Sequence, residues 1–515
     1  MNTLPLAPAL EAFSRHEGVR AFVSRLASGA YPVDCAELEG PAAAFLVAEA
    51  FRKLKAPFLV VVPTDQEAED FAGDLELAGV PSEVFPWWRA AAYRPVSERS
   101  PVFGERSAAL ARALGLAEGP AARVVVASQR AVVAPVPPRA WFESMVRRVA
   151  VGEELDAPAL ADALASWGYL RVPRVSLPGE FALRGEVLDI FMPGDDDALR
   201  LVFEFDTLEE LRRFDPVSQS SRPEREKAAV LRPVKELVWT PALIEGLEKR
   251  LALLRGWDAE KAAAACAPLR EFGEAKGEEL LYPLAFDAPG SIFDYLPEGA
   301  VVFLHERERL AGQVESIERE YSGLYRKAML DAPVPPPETQ VLPFDERAEK
   351  LGRVVRTWAL KDAEAEQRLC FGVEPPRSFF GNVNYFKEEL ASLLKAGYRV
   401  RICAETEIQA ERIASMLKGF EVEVIAAGLS AGFQVPAVKL ALVQENEIFG
   451  RRRRVPKSVK TARSRAIDTF VELAPGDYVV HQNYGIGRFL AVDRIRVMGK
   501  QEPVTVYELL GERGG

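Results

Sequence analysis

The chain contains 515 residues, of which 48% are apolar and 27% charged, and its formal net charge is −11. This composition is typical of globular proteins, predicts about three to four domains, and excludes disordered and collagen-like chains. The acidic balance argues against a protein whose whole surface coats nucleic acid, although it is compatible with one local basic patch.

Several functional classes lack their sequence signatures. The chain has no run of about 18 apolar residues, and residues 1–10 lack the charged segment that opens a signal peptide. We therefore expect no membrane partner and a cytoplasmic location. The four cysteines form no Cys-x-x-Cys motif, the three histidines are scattered, and no Gly-x-Ser-x-Gly occurs. Neither a metal site nor a catalytic residue is predicted.

Residues 1–145 alternate between helical and strand patterns. Helices are expected over Gln66–Leu77 and Arg106–Leu116. The continuous apolar runs Phe58–Val62 and Arg123–Ala127 suit strands that are buried on both faces. This alternation predicts the first part of an α/β module with a parallel sheet.

Residues 146–240 change character and predict an α+β insert. A short helix over Ala157–Gly168 is followed by period-2 segments at Phe181–Phe191, Leu199–Phe205 and Glu209–Phe214. Period 2 with turn residues between the segments is typical of an antiparallel sheet.

Residues 241–330 return to helices and add one apolar strand, Ala300–Leu304, so they are predicted to complete the α/β module. A proline-rich stretch then predicts a domain boundary. The segments beyond it are predicted as a small α/β domain (331–448), a basic linker (449–470) and an incomplete β domain (471–515).

A phosphate-binding P-loop would lie just before the helix that starts near residue 42. Such a loop needs a lysine for the β/γ-phosphates and a Ser or Thr for Mg²⁺. With Gly40 placed in the loop, the lysine position is Ala43 and the hydroxyl position is Ala44. A degenerate P-loop and an ordinary helix start both predict that no ATP binds here.

The strand at residues 301–304 is followed by His305 and Glu306. A Walker B strand ends in an acid that holds Mg²⁺. His305 stands in place of the first acid, which indicates a degenerate Walker B motif; a plain exposed strand end is the alternative.

Several sequence blocks now indicate a family. The strongest are Leu177–Phe191 and Phe203–Gln219, supported by Phe85–Trp88, Tyr93–Ser97 and Ser291–Pro297. In this order they resemble the N-terminal module of bacterial transcription-repair coupling factors. That module is itself similar to the B component of excinuclease ABC (excinuclease B) with its nucleotide site lost.

The resemblance continues downstream. Glu447–Arg454 resembles the basic linker of the family, and Pro475–Phe489 resembles the start of its RNA-polymerase-interacting domain, a small twisted β-barrel. The family then continues into helicase-like motor domains that use ATP and Mg²⁺ and make the main contacts with DNA. The motor motifs do not occur in these 515 residues, so we expect a partial barrel, no cofactor and no ATPase from this chain.

The resemblance implies a factor that links RNA polymerase stalled at a lesion to nucleotide excision repair. Its implied partners are the A component of excinuclease ABC (excinuclease A) and the β subunit of RNA polymerase. One alternative is an active ATPase like excinuclease B, which would need a lysine near residue 43. Another is a transcription regulator that acts only through the barrel.

The implied excinuclease A contacts lie in the insert. Arg184 is carried over from the matching Phe-x-x-Arg-Gly strand, whereas Arg171, Arg174 and Phe181 are candidates by proximity. Arginines and aromatic residues are common interface anchors. The alternative is a solvated charged face with Phe181 in the core.

The implied polymerase contacts lie near the C-terminus. Ile495 matches the family's apolar contact position beside a sheet edge, where strand pairing recognises the polymerase. Arg488 is a second candidate; the alternatives are a core role for Ile495 and a structural or solvated role for Arg488. The basic run at 451–465 is interpreted as a solvated linker, with phosphate binding as its alternative.

Overall fold

The computed structural model describes residues 5–97, 100–115, 124–359, 368–375, 377, 379 and 381–450, together with the strands at 478–481 and 485–488. The chain separates into two compact units, Met1–Arg451 and Arg452–Gly515. Within the described residues, no helix has the length and apolar character that crossing a bilayer requires.

The first part of the chain alternates helices and strands, as predicted. Strand 58–62 forms at the predicted residues, and Thr64 and Glu67 cap the following helix by reciprocal hydrogen bonds. The elements are α1 (Ala7–Ser14), α2 (Glu17–Ser28), β1 (Val33–Ala36), α3 (Ala42–Leu54), β2 (Phe58–Val62), α4 (Asp65–Leu77), β3 (Ser82–Phe85), α5 (Val102–Ala113), β4 (Val124–Ser128), α6 (Gln129–Val133) and α7 (Arg139–Glu143).

The insert is built on an antiparallel sheet, as predicted. Its elements are β5 (Arg147–Ala150), α8 (Ala157–Ser166), β6 (Leu170–Arg171), β7 (Glu180–Arg184), β8 (Val187–Phe191), β9 (Ala198–Glu204), β10 (Thr207–Phe214), β11 (Ser221–Glu226) and β12 (Ala228–Leu231). The six-stranded sheet has the order β11-β10-β9-β8-β7-β6, in which only the short β6 runs parallel to its neighbour. Strands β5 and β12 pair separately.

After the insert, the chain returns to the first module and adds further helices and strands to it. Its elements are α9 (Pro241–Ala252), α10 (Ala259–Phe272), β13 (Val301–Leu304), α11 (Arg307–Ala328), α12 (Pro337–Gln340), α13 (Phe344–Lys350), β14 (Val354–Trp358) and β15 (Leu369–Cys370), with short 3₁₀ turns at Glu278–Leu280, Tyr282–Leu284 and Ile292–Tyr295. A parallel seven-stranded sheet of order β15-β1-β14-β13-β2-β4-β3 results. Side chains of β2 alternate between two apolar cores, one on each sheet face.

This sheet extends beyond the boundary predicted at residue 331. Strands β14 and β15 come from the segment assigned to the small domain, yet β14 lies between β1 and β13. The proline-rich stretch packs on the module, because the Tyr93 hydroxyl donates to the Pro335 carbonyl at 2.9 Å. It is therefore a loop of the first module.

The small α/β domain contains α14 (Val383–Lys395), β16 (Arg399–Ala404), α15 (Glu407–Met416), β17 (Glu423–Ala426), β18 (Phe433–Val435), β19 (Leu440–Gln444) and α16 (Glu445–Phe449), with a 3₁₀ turn at Pro436–Val438. Its sheet order is β17-β16-β19-β18, with β18 antiparallel.

In the second unit, β20 (Tyr478–His481) and β21 (Gly485–Arg488) form an antiparallel hairpin in which Arg488 pairs with Tyr478. The basic run 451–465 and Ile495 lie outside the described residues.

Candidate functional site

The position of the expected P-loop is closely packed. Ala43 and Ala44 are fully buried in the first turn of α3. Gly40 has φ +51°, and a Cβ built on it would lie 3.4 Å from the carbonyl oxygen of Gly432 in the small domain. The backbone of the small domain therefore covers Gly40 on the side where a Cβ would project.

A hydrogen bond and an aromatic contact hold this loop of the small domain in place. The Ser430 amide donates to the Asp74 carboxylate at 2.8 Å. The Phe433 ring packs edge-on against Phe45 of α3, with 5.3 Å between the ring centroids. The small domain is thus fixed against the start of α3.

The predicted Walker B position is joined to the sheet by hydrogen bonds. His305 Nδ1 lies 3.0 Å from the hydroxyl of Thr357 on β14, and the Glu306 amide donates to the same oxygen at 2.8 Å. Burial lowers the pKa of His305, which favours the neutral imidazole. Among the described residues, no cluster of three or more His, Cys, Asp or Glu side chains could hold a metal ion.

The sheet of the insert has two different faces. One face packs against α8 in an apolar core that includes Phe181, Leu188 and Leu201. The opposite face, here called the outer face, carries the alternate residues of β7–β11. At one end of this face, here called the lower end, Val175 packs in a small apolar cluster with Ala182, Phe191, Ala198 and Phe214.

Strand register builds a cross-strand row on the outer face. Asp189 on β8 is opposite Arg200 on β9, Arg200 is opposite Arg212 on β10, and Arg212 is opposite Arg225 on β11. The row above it contains Arg184, Val187, Val202 and Glu210. Together these two rows place four arginines against two carboxylates, so these rows are basic although the whole chain is acidic.

Asp189 binds two of these arginines. Its carboxylate is fully buried and accepts hydrogen bonds from Arg184 Nη2 at 2.7 Å and from Arg200 Nε and Nη2 at 2.7 and 3.0 Å. The bond to Asp189 raises the pKa of Arg200, and the guanidinium of Arg200 stacks on the Phe214 ring at 4.4 Å. Two guanidinium groups are thereby held in fixed positions, with Arg184 still 49% exposed.

The predicted contact residues do not form one cluster. Arg184 lies in the outer face, but Arg171 is paired with Phe181, whose side chain points to the opposite side of the sheet. Arg174 donates to the Val217 carbonyl at 3.3 Å, near the lower end of the face. Phe181 is 1% exposed and lies in the core. The prediction that it contacts excinuclease A is therefore wrong, and the alternative, a core residue, is correct.

Sequence reasoning missed Asp189, Arg200 and Arg212. The available signal was the period-2 pattern, because Asp189 and Arg200 each occupy a polar position between apolar neighbours on a predicted strand. The grouping of the three residues could not be inferred, because it depends on the register between strands.

The insert is anchored to the first module by a buried ion pair. Arg106 on α5 and Glu236 are fully buried, and Arg106 donates from Nε and Nη2 to the carboxylate at 2.6 and 3.2 Å. The guanidinium also lies 4.3 Å from the ring centroid of Phe85 and 4.0 Å from that of Trp88. At Gly104, a Cβ would lie 2.2 Å from Pro193 of the insert, so the two parts are in close contact.

Two family models match the chain. The UvrB interaction domain matches residues 148–236, which is nearly the whole insert. The CarD-like/TRCF RID domain matches residues 473–511, which contain the β20–β21 hairpin.

The chain is also similar to proteins named transcription-repair-coupling factor. It is 24% identical over 486 residues to the one from Borreliella burgdorferi, covering 91% of this chain and 41% of the relative. For Myxococcus xanthus the identity is 29% over 539 residues, covering 92% and 44%. For Bacillus subtilis it is 25% over 414 residues, covering 73% and 35%. The chain therefore spans about two-fifths of the length of the curated relatives it matches.

The fold defines a multidomain α/β protein whose insert matches the model of the UvrB interaction domain. More particularly, the chain is related to the N-terminal part of the transcription-repair-coupling factors, so the resemblance found in the sequence is confirmed.

Proposed function

We propose that this chain acts in transcription-coupled DNA repair, as the part that links RNA polymerase stalled at a lesion to nucleotide excision repair. The insert binds excinuclease A through its outer face. The second unit docks on the RNA polymerase β subunit. The observation that carries the proposal is the arginine row on a domain matched by the UvrB interaction model.

The chemistry of the outer face suits a protein partner with acidic groups. Asp189 holds the guanidinium groups of Arg184 and Arg200 in place, and Glu210 lies 3.1 Å from the guanidinium of Arg225. Planar guanidinium groups bind carboxylates in two-point contacts. Because the arginines are already ordered, less side-chain entropy is lost on binding.

The proposal includes no nucleotide cofactor for these residues. Support comes from two buried methyl groups at the positions of the phosphate-gripping lysine and the metal-holding hydroxyl, and from the loop at 431–432 that packs on Gly40. An ATPase like excinuclease B is disfavoured by the same contacts. ATP and Mg²⁺ would act in the motor domains that the family carries.

Polymerase docking rests on the match at 473–511 and on the β20–β21 hairpin. An exposed strand edge can pair with a strand of a partner. Ile495 and Arg488 remain the proposed contact residues, and the basic segment at 449–470 is proposed as the linker.

A calorimetric titration of the 515-residue chain with purified excinuclease A tests the proposal. We expect a complex whose dissociation constant rises about tenfold in Arg184→Ala and in Arg225→Ala, because each variant removes one guanidinium from the face. Lys249→Ala is the matched control, since Lys249 is an exposed cation on α9, outside the insert. The proposal fails if the folded wild type does not bind, or if all three variants bind equally well.

A further inference from the structure

Two neighbouring hairpin tips in the insert use the same turn geometry with different residues. The β7–β8 tip is Gly185-Glu186, and the β9–β10 tip is Phe205-Asp206. Each loop has two residues, because Arg184 pairs with Val187 and Glu204 pairs with Thr207. The first loop residue has φ +58° at Gly185 and φ +54° at Phe205.

This geometry favours glycine at both positions. A left-handed backbone brings Cβ close to the following carbonyl oxygen, which penalises every L side chain and a bulky one most. Gly185 follows this rule. Phe205 breaks it, and its side chain is 85% exposed, so burial does not compensate the backbone cost.

The two tips lie at the same end of the sheet. The Phe203 amide, on β9 two residues before the second tip, donates to the Glu186 carbonyl of the first tip at 2.8 Å. Val187 and Val202 pair beside them on the outer face and are half-buried. Phe205 therefore stands at the end of the sheet where Arg184 also lies.

We propose that Phe205 is an aromatic anchor that inserts into an apolar pocket of excinuclease A. This pocket lies next to the carboxylates of excinuclease A that bind the arginines of the outer face. This inference rests on the proposed function and adds a specificity-determining residue to it. A local backbone cost combined with a largely exposed ring is expected where function, and not stability, selects the residue. Interface hot spots are enriched in aromatic side chains and arginines, which cluster near the centre of an interface.

The test compares three variants of the full chain in the same titration and in thermal melts. In Phe205→Gly we expect the dissociation constant to rise at least about tenfold, while the melting temperature is unchanged or higher, because glycine removes the left-handed penalty. Phe205→Tyr retains the ring and is expected to bind within about threefold of wild type. Leu253→Ser is the control, because Leu253 is 86% exposed at the end of α9, outside the insert.

The outcomes separate the two proposals. If wild type binds, Arg184→Ala weakens binding and Phe205→Gly does not, the anchor is refuted and the proposed function stands. If Phe205→Gly weakens binding but also lowers the melting temperature by several degrees, the ring has a structural role and the anchor is refuted. If wild type does not bind, the proposed function fails and the anchor fails with it.

Discussion

The Arg106–Glu236 pair offers a quantitative test of how the insert is held. Arg106 has no exposed surface, and it makes two hydrogen bonds to Glu236 and one, at 2.8 Å, to the carbonyl of Pro86. In Arg106→Met the aliphatic side chain still fills space between the two aromatic rings. The carboxylate of Glu236 then stays buried without its counter-charge. Removing one partner of such a pair costs about 3–5 kcal/mol.

The double variant Arg106→Met/Glu236→Met separates the cost of an unpaired charge from the cost of lost packing. Replacing both members of a buried pair by apolar side chains is often close to neutral. The Pro86 carbonyl still loses its donor, which costs about 1–3 kcal/mol. We therefore expect the double variant to be more stable than Arg106→Met by about 2 kcal/mol, although it has lost more polar groups.

Urea denaturation followed by tryptophan fluorescence measures the unfolding free energies; Trp88, in contact with Arg106, is one of seven tryptophans that contribute to this signal. Limited proteolysis of the folded variants shows whether the insert detaches before the module unfolds. An Arg106→Met variant that loses less than about 1 kcal/mol would refute the argument from burial. A double variant less stable than the single one would refute the argument from unpaired charge.

Two further predictions concern the first module. Burial raises the pKa of Glu279 from 4.5 to about 7. The contribution of the protonated carboxyl to the free energy of unfolding is therefore fully present below about pH 4.5 and is lost as the pH rises through about 7. Glu279→Gln should thus raise the unfolding free energy at pH 8, by at most about 3 kcal/mol, and give no gain at pH 4.5; an equal effect at both pH values would contradict this. Fluorescent ATP analogues with Mg²⁺ should show no saturable binding to the 515-residue chain, and binding that is lost in an Ala43→Glu variant would contradict the prediction of a degenerate P-loop.

Local sequence patterns predicted most of the elements. The valine-rich runs Phe58–Val62 and Val124–Ser128 form strands because a parallel sheet buried on both faces needs continuous apolar runs. The period-2 segments of the insert became β7–β10 for a related reason, since one face of that sheet packs on α8. The degenerate phosphate site inferred from the alanines at 43 and 44 stays a prediction.

Domain limits were predicted less well. The proline cluster at 333–337 suggested a linker, yet the chain after it supplies β14 to the middle of the large sheet. Proline content reports only the local backbone preference. Which strand enters a sheet depends on apolar surfaces that are distant in sequence, so the boundary could not be placed from composition.

What the sequence determined by itself is the alternation of elements, the presence of alanine at positions 43 and 44, and the choice of Arg184 as a candidate contact. Each depends on residue type or on spacing within one strand or helix. Only the tertiary structure decided that Phe181 is core, that Asp189 gathers Arg184 and Arg200, and that the loop at 431–432 packs on Gly40. These facts depend on strand register and on contacts between distant segments, and pairing energies of that kind are not encoded in any short stretch of sequence.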